Sequence, residues 1–521
     1  MIARFKKVIY WLIPLVLIVG FALFIHSRLT GMADADSFYH IRHAEIYRTS
    51  GIFQTAFPWV QYSAIKQYSA DLWYGFHILL IPLTFFADLS VGINIGALLI
   101  TIIASILFFL ALLKLKVRWP ILWLGVFLLS SADALYRLTM LRPHPLSLGL
   151  SMLLFAYLVS RENNKTKWIT ATIAFALSWN HISLSWMAIL IVGVVGAIEI
   201  AQRRKLSFQK YIAVGAGLLA GIFLRPNPFG VIQLAYIQVV KLLFEKQGDL
   251  PLRFGRELTP FVWENFVDQL IPITLLLIAA AVLLFWLIKS KKWQTLSPEI
   301  KTSLITSPIL CSIFLFLTFA VARRSNELFI SFGVLFIALS FTQLKNLITY
   351  LDWYHYTTVA VLCAVIIYMP FKTIYRFDTY MAGTFNTKTF QGVADWLNTN
   401  SKPGEIVFNI HWDRFAQLFY WDTKNYFING MDPIFEYAYD PSLYWKTHFL
   451  AIDAGSAYTC GKVRCTAEEV VPTYGVLKND FHASYIVVEK RRSPKLLDYL
   501  RTSPDFQKVF EDIEITLFKI K

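Results

Sequence analysis

The chain has few charged residues and few cysteines for its length. Of 521 residues, 16% are charged and only four are cysteine. Four cysteines are too few for a disulfide-based scaffold, and no pair of cysteines or of Cys and His has the spacing of a zinc site. No internal repeat, Walker A motif or GxGxxG motif stands out, and the lack of a phosphate loop argues against an ATP-driven pump.

Charge of either sign is scarce, and the positive excess is unevenly placed. The formal net charge is +15, yet residues 371–521 carry 18 basic and 18 acidic side chains. The whole excess therefore belongs to the hydrophobic residues 1–370. We expect no nucleic-acid partner, because the basic residues do not form a separate polar binding face.

Long apolar runs are abundant, since 56% of the residues are hydrophobic. A bilayer core about 30 Å thick requires roughly 20 apolar residues per helix. About eleven runs meet or approach that length, and they predict a polytopic α-helical membrane protein. The runs are 8–26, 90–113, 119–135, 146–160, 168–182, 184–200, 211–224, 268–288, 303–321, 328–344 and 354–370.

Basic residues predict the orientation in the membrane. The first run follows a short basic segment, and no cleavage site follows it, so we expect a retained first helix. The N-terminus and alternate loops together hold 18 basic residues. They are Arg4, Lys6, Lys7, Lys114, Lys116, Arg118, Arg161, Lys165, Lys167, Arg203, Arg204, Lys205, Lys210, Lys289, Lys291, Lys292, Lys301 and Lys345. The positive-inside rule then predicts a cytoplasmic N-terminus and an extracytoplasmic tail, and the short basic loops favour a prokaryotic plasma membrane.

Two long outer loops and a tail complete the predicted organisation. The loops are residues 27–89 and 225–265, within a transmembrane domain of residues 1–370. Residues 72–87 are apolar, but counting them as a span would move every later basic loop outside, so we predict an interfacial segment. Residues 371–521 alternate helix and strand signals and predict an extracytoplasmic α/β domain.

Acidic residues open the first outer loop, directly after the first helix. Asp34 and Asp36 lie in G-M-A-D-A-D-S-F-Y-H, and two acids at i and i+2 can bind a divalent metal such as Mg or Mn. One of them can instead act as a base. The alternative is a solvated loop that carries two aspartates and no ligand.

The surrounding residues resemble a known family. D36-S-F-Y-H-I-R42 after a first transmembrane helix resembles the D-P-Y-F-N-Y-R region of oligosaccharyltransferase catalytic subunits, which belong to the GT-C class of membrane glycosyltransferases. R-E-L-T-P, with Glu257, resembles the family's E-x-x-P loop. The segment H-W-D-R-F-A-Q, which contains Trp412 and Asp413, resembles its W-W-D-Y-G segment.

The resemblance implies roles for these residues. It implies that Asp36 and Glu257 are catalytic, that Arg323 and Arg324 hold the phosphates of a lipid-linked sugar donor, and that Trp412 and Asp413 contact the acceptor. The predicted metal ligands are Asp34, Asp36 and His144. Arg42 is a predicted substrate-binding residue that either orients Asp36 or contacts lipid headgroups.

The sequence also departs from the family at two places. The second acidic pair is replaced by M-L-R-P-H-P at residues 140–145, where His144 is either a substitute metal ligand or a packing residue. Asp133 is another replacement or a helix cap. The segment W-D-R-F replaces the family's W-W-D-Y-G, so the identity of the acceptor is left open. Outside these motifs, Cys460 and Cys465 form either a local disulfide or two free thiols.

The sequence therefore predicts an integral-membrane glycosyltransferase. It would move a sugar or oligosaccharide from a polyprenyl phosphate or diphosphate donor to an extracytoplasmic protein, lipid or glycan acceptor. The alternatives are a transporter or flippase of lipid-linked glycans and a receptor. A transporter more often has ionisable residues in mid-span and paired repeats, whereas here the acids gather in loops.

Overall fold

The computed structural model describes residues 2–161, 163–202, 208–247, 254–343, 353–380 and 383–521. Within them the chain forms two compact units. Unit 1 comprises residues 1–33, 95–222 and 256–384, and unit 2 comprises residues 34–94, 223–255 and 385–521. Among the basic loop residues of the predicted orientation, Arg203, Arg204, Lys205 and Lys345 lie outside the described residues.

Apolar helices dominate the first 380 residues. Seven of the described helices are long and apolar enough to cross a membrane: Leu89–Lys114, Ile182–Ala201, Pro228–Lys246, Trp263–Lys289, Pro298–Ala320, Arg323–Thr342 and Ala360–Tyr380. Shorter apolar helices are Trp11–His26, Tyr74–Phe85, His144–Val159 and Phe208–Phe223. The remaining helices before residue 260 include Asp36–Ser50, Ala64–Tyr68, Asn164–Asn180 and the 3-10 turn Arg256–Leu258. A mostly helical membrane protein is thereby confirmed, while the count of about eleven spans stays a prediction.

Two segments differ from the simplest picture of straight spans. The predicted run 119–135 is a pair of helices, Pro120–Leu129 and Ala132–Leu138, bent by 99° at the break. Ser131 accounts for the break locally, because its side chain caps the second helix by accepting from the Ala134 amide. In the predicted outer loop 225–265, Pro228–Lys246 forms a helix of span length.

Unit 2 contains a five-stranded mixed sheet. The strands after residue 400 are β1 (Ile406–Asn409), β2 (Tyr426–Phe427), β3 (Tyr458–Thr459), β4 (Val471–Pro472), β5 (Ala483–Glu489), β6 (Phe506–Glu511) and β7 (Ile515–Ile520). The order is β2-β1-β5-β7-β6, with β1 parallel to β2 and β5, and β7 antiparallel to β5 and β6. β3 and β4 form a separate antiparallel pair. The predicted sheet-containing C-terminal region is thus confirmed.

Helices and apolar side chains cover this sheet. The helices are Gln391–Asn400, Phe415–Trp421, Pro433–Tyr439, Pro441–Ala451 and Pro494–Thr502, with the 3-10 turn Trp412–Arg414 after β1. Phe408 and Ile486 on adjacent strands are fully buried in its core. The first predicted outer loop also reaches the sheet edge, because the Gln61 amide donates to the Phe427 carbonyl at 2.8 Å. Cys460 and Cys465 form the local disulfide that the sequence left open.

Candidate functional site

Unit 1 contains a cluster of ionisable side chains that we call the arginine cluster. Its members lie where helices begin or end: one helix of the bent pair, the start of His144–Val159, the end of Asn164–Asn180, the turn Arg256–Leu258 and the start of Arg323–Thr342. They are Arg137, Arg142, His144, His181, Glu257, Arg324 and Glu327. Buried charged groups are costly unless they are paired or used, so the cluster is a candidate functional site.

The inner part of the arginine cluster is an ion pair between two buried side chains. Arg137 Nε donates to Glu327 Oε1, and both residues are buried. His144 Nε2 lies 3.7 Å from Glu327 Oε2 and, among the described residues, has no hydrogen-bond partner. His144 is therefore a buried imidazole beside a carboxylate and not a loop side chain in solvent, which leaves its predicted metal role open to test.

Glu257 forms the more open part of the cluster. Arg142 Nη1 lies 3.4 Å from Glu257 Oε1, a looser contact than the Arg137 pair. Burial opposes ionisation of Glu257, but the charges of Arg142, Arg137 and Arg324 lower its pKa to about 2. Glu257 is therefore ionised at neutral pH, as a metal ligand or an electrostatic partner must be.

The two predicted phosphate-binding arginines have different surroundings. Arg323 donates to both carboxylate oxygens of Asp133, at 2.9 and 3.3 Å, and to the Tyr380 hydroxyl at 3.1 Å. Its guanidinium also lies over the Phe261 ring. Arg324 instead acts electrostatically on Glu257 and Glu327. The structure thus gives Arg323 a full set of protein partners and places Arg324 with the arginine cluster.

The predicted acidic pair begins unit 2. Asp34 is buried, and Asp36 is the partly buried first residue of the helix Asp36–Ser50, where a carboxylate is favoured by the helix dipole. Asp36 also lies close enough to Tyr39 to help raise the pKa of that hydroxyl, after burial and the charge of Asp71. Both aspartates are thus held in the folded unit and not in a solvated loop.

Arg42 connects two elements of unit 2. It donates from Nη1 to Glu45 and from Nη2 to the Tyr420 carbonyl, and its guanidinium lies over the Tyr420 ring at 5.2 Å from the ring centre. These contacts join the helix Asp36–Ser50 to Phe415–Trp421. They are structural contacts, so the predicted substrate-binding role of Arg42 stays a prediction.

The predicted acceptor residues lie at the carboxyl end of a parallel strand. Trp412 and Asp413 form the turn Trp412–Arg414 between β1 and β2, in the order that the resemblance implies. Asp413 accepts two hydrogen bonds from Arg492 Nη1, at 3.0 and 3.1 Å. Ligands often bind where parallel strands end, so this position is compatible with the predicted role.

Sequence reasoning missed a second group of polar residues, which we call the histidine cluster. It consists of His43, Asp71 and His77 in unit 2, whose ligand atoms all lie within 4.8 Å of one another. Among the described residues, no other three His, Cys, Asp or Glu side chains come this close together. Neither Asp34 with Asp36 nor His144 belongs to a group of this kind.

The signals for the missed residues were weak. Glu327 is a carboxylate at the start of an apolar run, which is a usual sign of function in a membrane segment. Its partner Arg137 lies 190 positions away in the sequence. Asp71 and His77 stand six residues apart and only the fold brings His43 to them. Pairing of this kind cannot be derived from spacing in one sequence.

Solved structures share the architecture of this chain. The oligosaccharyltransferase of Archaeoglobus fulgidus in the apo form matches with a TM-score of 0.59 and 12% identity over 94% of this chain and 72% of that chain. ArnT from Cupriavidus metallidurans bound to undecaprenyl phosphate matches with a TM-score of 0.55 and 9% identity over 96% and 97%. The mycobacterial arabinofuranosyltransferase AftD matches with 0.53 and 12% over 97% and 41%.

These likenesses establish the fold. No protein-family model matches the chain, and no curated protein matches its sequence. The identities are low, but each match covers nearly the whole of this chain, membrane helices and sheet included. The chain therefore has a GT-C-like fold, as the order of its motifs predicts.

Proposed function

We propose that the chain is an integral-membrane glycosyltransferase that uses a polyprenyl phosphate or diphosphate sugar as donor. The observation that carries the proposal is the arginine cluster in a GT-C-like fold. One of the fold neighbours holds undecaprenyl phosphate in its structure. The acceptor is an extracytoplasmic protein, glycan or lipid.

The arginine cluster supplies the chemistry that a donor phosphate requires. Arginine binds phosphate through two parallel N–H bonds and stays charged in a partly apolar site. Arg137 is paired with Glu327, Arg142 lies 3.4 Å from Glu257, and the charge of Arg324 also acts on Glu257. We assign Arg324 as the main phosphate ligand and Arg142 as its neighbour, with Arg323 as the second candidate for the same role.

Asp36 is the proposed catalytic carboxylate of unit 2. It would orient or deprotonate the acceptor, and Asp34 with Asp36 offers the hard oxygen ligands that Mg or Mn prefers. A bound divalent ion would stabilise charge on the leaving phosphate. In unit 1, Glu257 is proposed as a catalytic carboxylate and His144 as a metal ligand. Each of these residues is assigned separately.

The remaining predicted contacts concern the acceptor and the lipid. Trp412 and Asp413 are the proposed acceptor residues, and Arg42 is proposed to support Asp36 through the helix that carries both. One fold neighbour is tethered to an acceptor peptide with the NVT sequon, so a protein is one candidate acceptor. The W-D-R-F sequence makes other acceptors equal candidates. The proposed location is a prokaryotic plasma membrane with the C-terminal region outside.

The test compares lipid-linked sugars in cells that make equal amounts of wild type and of Asp36→Asn. Mass spectrometry of extracted lipids identifies the donor as the polyprenyl-linked sugar that accumulates in the variant. Asp395→Asn is the matched control, because Asp395 is exposed on the helix Gln391–Asn400 and has no proposed role. The control should leave the lipid profile of the wild type unchanged.

Other outcomes would contradict the proposal. If wild type and Asp36→Asn give the same lipid profile while the wild type is active, the Asp36 assignment is wrong. If the wild type redistributes a lipid-linked sugar across the membrane without consuming it, the chain is a flippase.

A further inference from the structure

The polar groups of the histidine cluster lie close together inside unit 2. His77 is fully buried, and its Nδ1 lies 2.6 Å from Asp71 Oδ2. His43 Nε2 faces the same oxygen at 4.0 Å, beyond hydrogen-bond distance. The two imidazole rings stack with their centres 4.3 Å apart. Two ring nitrogens and one carboxylate oxygen therefore converge on one small volume.

Each member of the histidine cluster also has an outer partner. The other nitrogen of His77, Nε2, lies 2.8 Å from His40 Nδ1. The other nitrogen of His43, Nδ1, lies 2.9 Å from the Tyr39 hydroxyl. The Tyr47 hydroxyl donates to Asp71 Oδ2 at 2.9 Å. Metal-binding histidines are oriented in this way, with the free nitrogen bonded to a second polar group.

We propose that His43, His77 and Asp71 bind a zinc ion that fixes the helix Asp36–Ser50 to the segment 71–77. Zinc bonds to imidazole nitrogen and carboxylate oxygen at about 2.0–2.2 Å, which spaces neighbouring ligand atoms by roughly 3.3 Å in a tetrahedral site. The observed separations of 2.6 and 4.0 Å lie on either side of that value.

The ligand set favours zinc over the metals proposed for Asp34 and Asp36. Two imidazoles and one carboxylate suit zinc, whereas Mg prefers an all-oxygen set. When zinc occupies Nδ1 of His77, the ring hydrogen resides on Nε2 and donates to His40. The neutral ring carries one hydrogen in either tautomer, so zinc at Nδ1 leaves that hydrogen on Nε2.

The zinc ion would have a positioning role. The helix that carries His43 begins at Asp36, so the ion would hold the segment on which the proposed catalytic carboxylate lies. Arg225 contributes a further link, since its Nη1 donates to the Asp71 carbonyl at 3.3 Å. The zinc site itself is defined by unit 2 alone and does not depend on the proposed transferase activity.

The test measures zinc in the full chain, purified in detergent through a tag that contains no histidine. Elemental analysis by mass spectrometry should find a nearly equimolar amount of zinc in the wild type. His43→Gln and Asp71→Asn should each lower the zinc content at least about tenfold. His448→Gln is the control, because His448 is also buried in unit 2 but packs against Trp445. This variant should have the same zinc content as the wild type.

A second measurement uses only the wild-type protein, so it tests the zinc site even if the variants fail to fold. Cobalt exchanged into the wild-type protein should give the visible absorption of a tetrahedral site with nitrogen and oxygen ligands, and a chelator should lower the melting temperature of the wild type. The proposal is overturned if wild-type protein from zinc-replete cells carries only trace zinc and shows no such cobalt absorption. It is also overturned if folded His43→Gln retains as much zinc as the control. Neither result depends on sugar transfer, so the proposed function is tested separately.

Discussion

Arg323 and Arg324 are neighbours in the chain, but they face different groups in unit 1. We expect Arg324→Lys to weaken donor binding, because lysine cannot make two parallel bonds to phosphate. The loss of one charge-assisted hydrogen bond costs about 1.5–3 kcal/mol, so KM for the lipid donor should rise about tenfold or more. The measurement is initial transfer rate against donor concentration.

Arg323→Ala serves as the contrasting variant. It removes the bidentate partner of Asp133, which is buried. We expect a loss of about 2 kcal/mol in stability, because Asp133 is left without its charge partner. Thermal unfolding measures this loss. If Arg323→Ala raises KM while Arg324→Lys does not, the assignment of the phosphate ligand is reversed.

Glu436 is a second residue with a strongly altered environment. It is buried in unit 2 and accepts hydrogen bonds from Asn429 Nδ2 at 2.6 Å and Thr447 Oγ1 at 2.8 Å. Burial raises its pKa from 4.5 to about 7. Between these values the folded state holds a proton that the unfolded state has lost, so stability falls as pH rises.

We therefore expect Glu436→Gln to reduce the pH dependence of stability. The wild type should lose up to about 3 kcal/mol between pH 4.5 and pH 7, and the loss should remain above pH 7. Glutamine cannot ionise, so the variant should be flatter over this range. The measurement is the melting temperature of purified protein across that pH range. Equal slopes for wild type and variant would show that Glu436 does not titrate in this window.

The catalytic roles predicted for Asp36 and Glu257 rest on short motifs and stay predictions. Asp36 and Glu257 each stand in a motif that resembles the family, and both lie in folded, partly buried positions. Arg137 and Glu327 could not be paired from sequence, since they are 190 positions apart. The partner of a buried charge depends on packing, which one sequence does not contain.

Glycines on one face of the helix Phe208–Phe223 allow a close approach between two helices of unit 1. A Cβ at Gly217 would lie 2.2 Å from the Ala171 carbonyl oxygen, and one at Gly221 would lie 1.9 Å from Ser178 Oγ. Ser178 Oγ also donates to the Leu218 carbonyl at 2.9 Å. Small residues four apart are a common basis for helix packing in membranes.

We expect Gly217→Leu to separate these two helices and lower the melting temperature in detergent. Overpacking of this kind costs about 1–3 kcal/mol. Gly215→Leu is the matched control, because nothing lies within 4 Å of a Cβ at that position. The control should melt close to the wild type. Equal destabilisation by both variants would indicate a general effect of leucine on this helix and not a loss of close packing.

At the scale of elements, the sequence predicted helices better than their interruptions. Leu89–Lys114 and Trp263–Lys289 match predicted runs, because a helix in lipid must satisfy its own backbone groups over about 20 apolar residues. The 99° break near Ser131 was missed, since both sides of it are apolar. In the sheet, the strand signals of residues 371–521 correspond to strands such as Ile406–Asn409 and Ile515–Ile520.

For the whole molecule, the order of motifs predicted the fold, but the sequence did not predict which segments belong to the same unit. Residues 34–94 and 223–255 join residues 385–521 in unit 2. Contacts of this kind, such as the bridge between Val60 and Phe427, link positions that are distant in the chain. The predicted boundary between residues 370 and 371 rests on composition and stays a prediction.

The orientation of the molecule is the last prediction, and it determines on which side of the membrane the sugar would be transferred. We expect a membrane-impermeant maleimide to label Thr502→Cys in intact cells and Gln294→Cys only after lysis, since the positive-inside rule places the loop of Gln294 in the cytoplasm. Both positions are exposed. The background should carry Cys363→Ser, because Cys363 is an exposed free thiol. The reverse labelling pattern would place the C-terminal region inside and contradict an extracytoplasmic acceptor. The expected pattern would agree with transfer from a polyprenyl-linked donor at the outer face of the membrane.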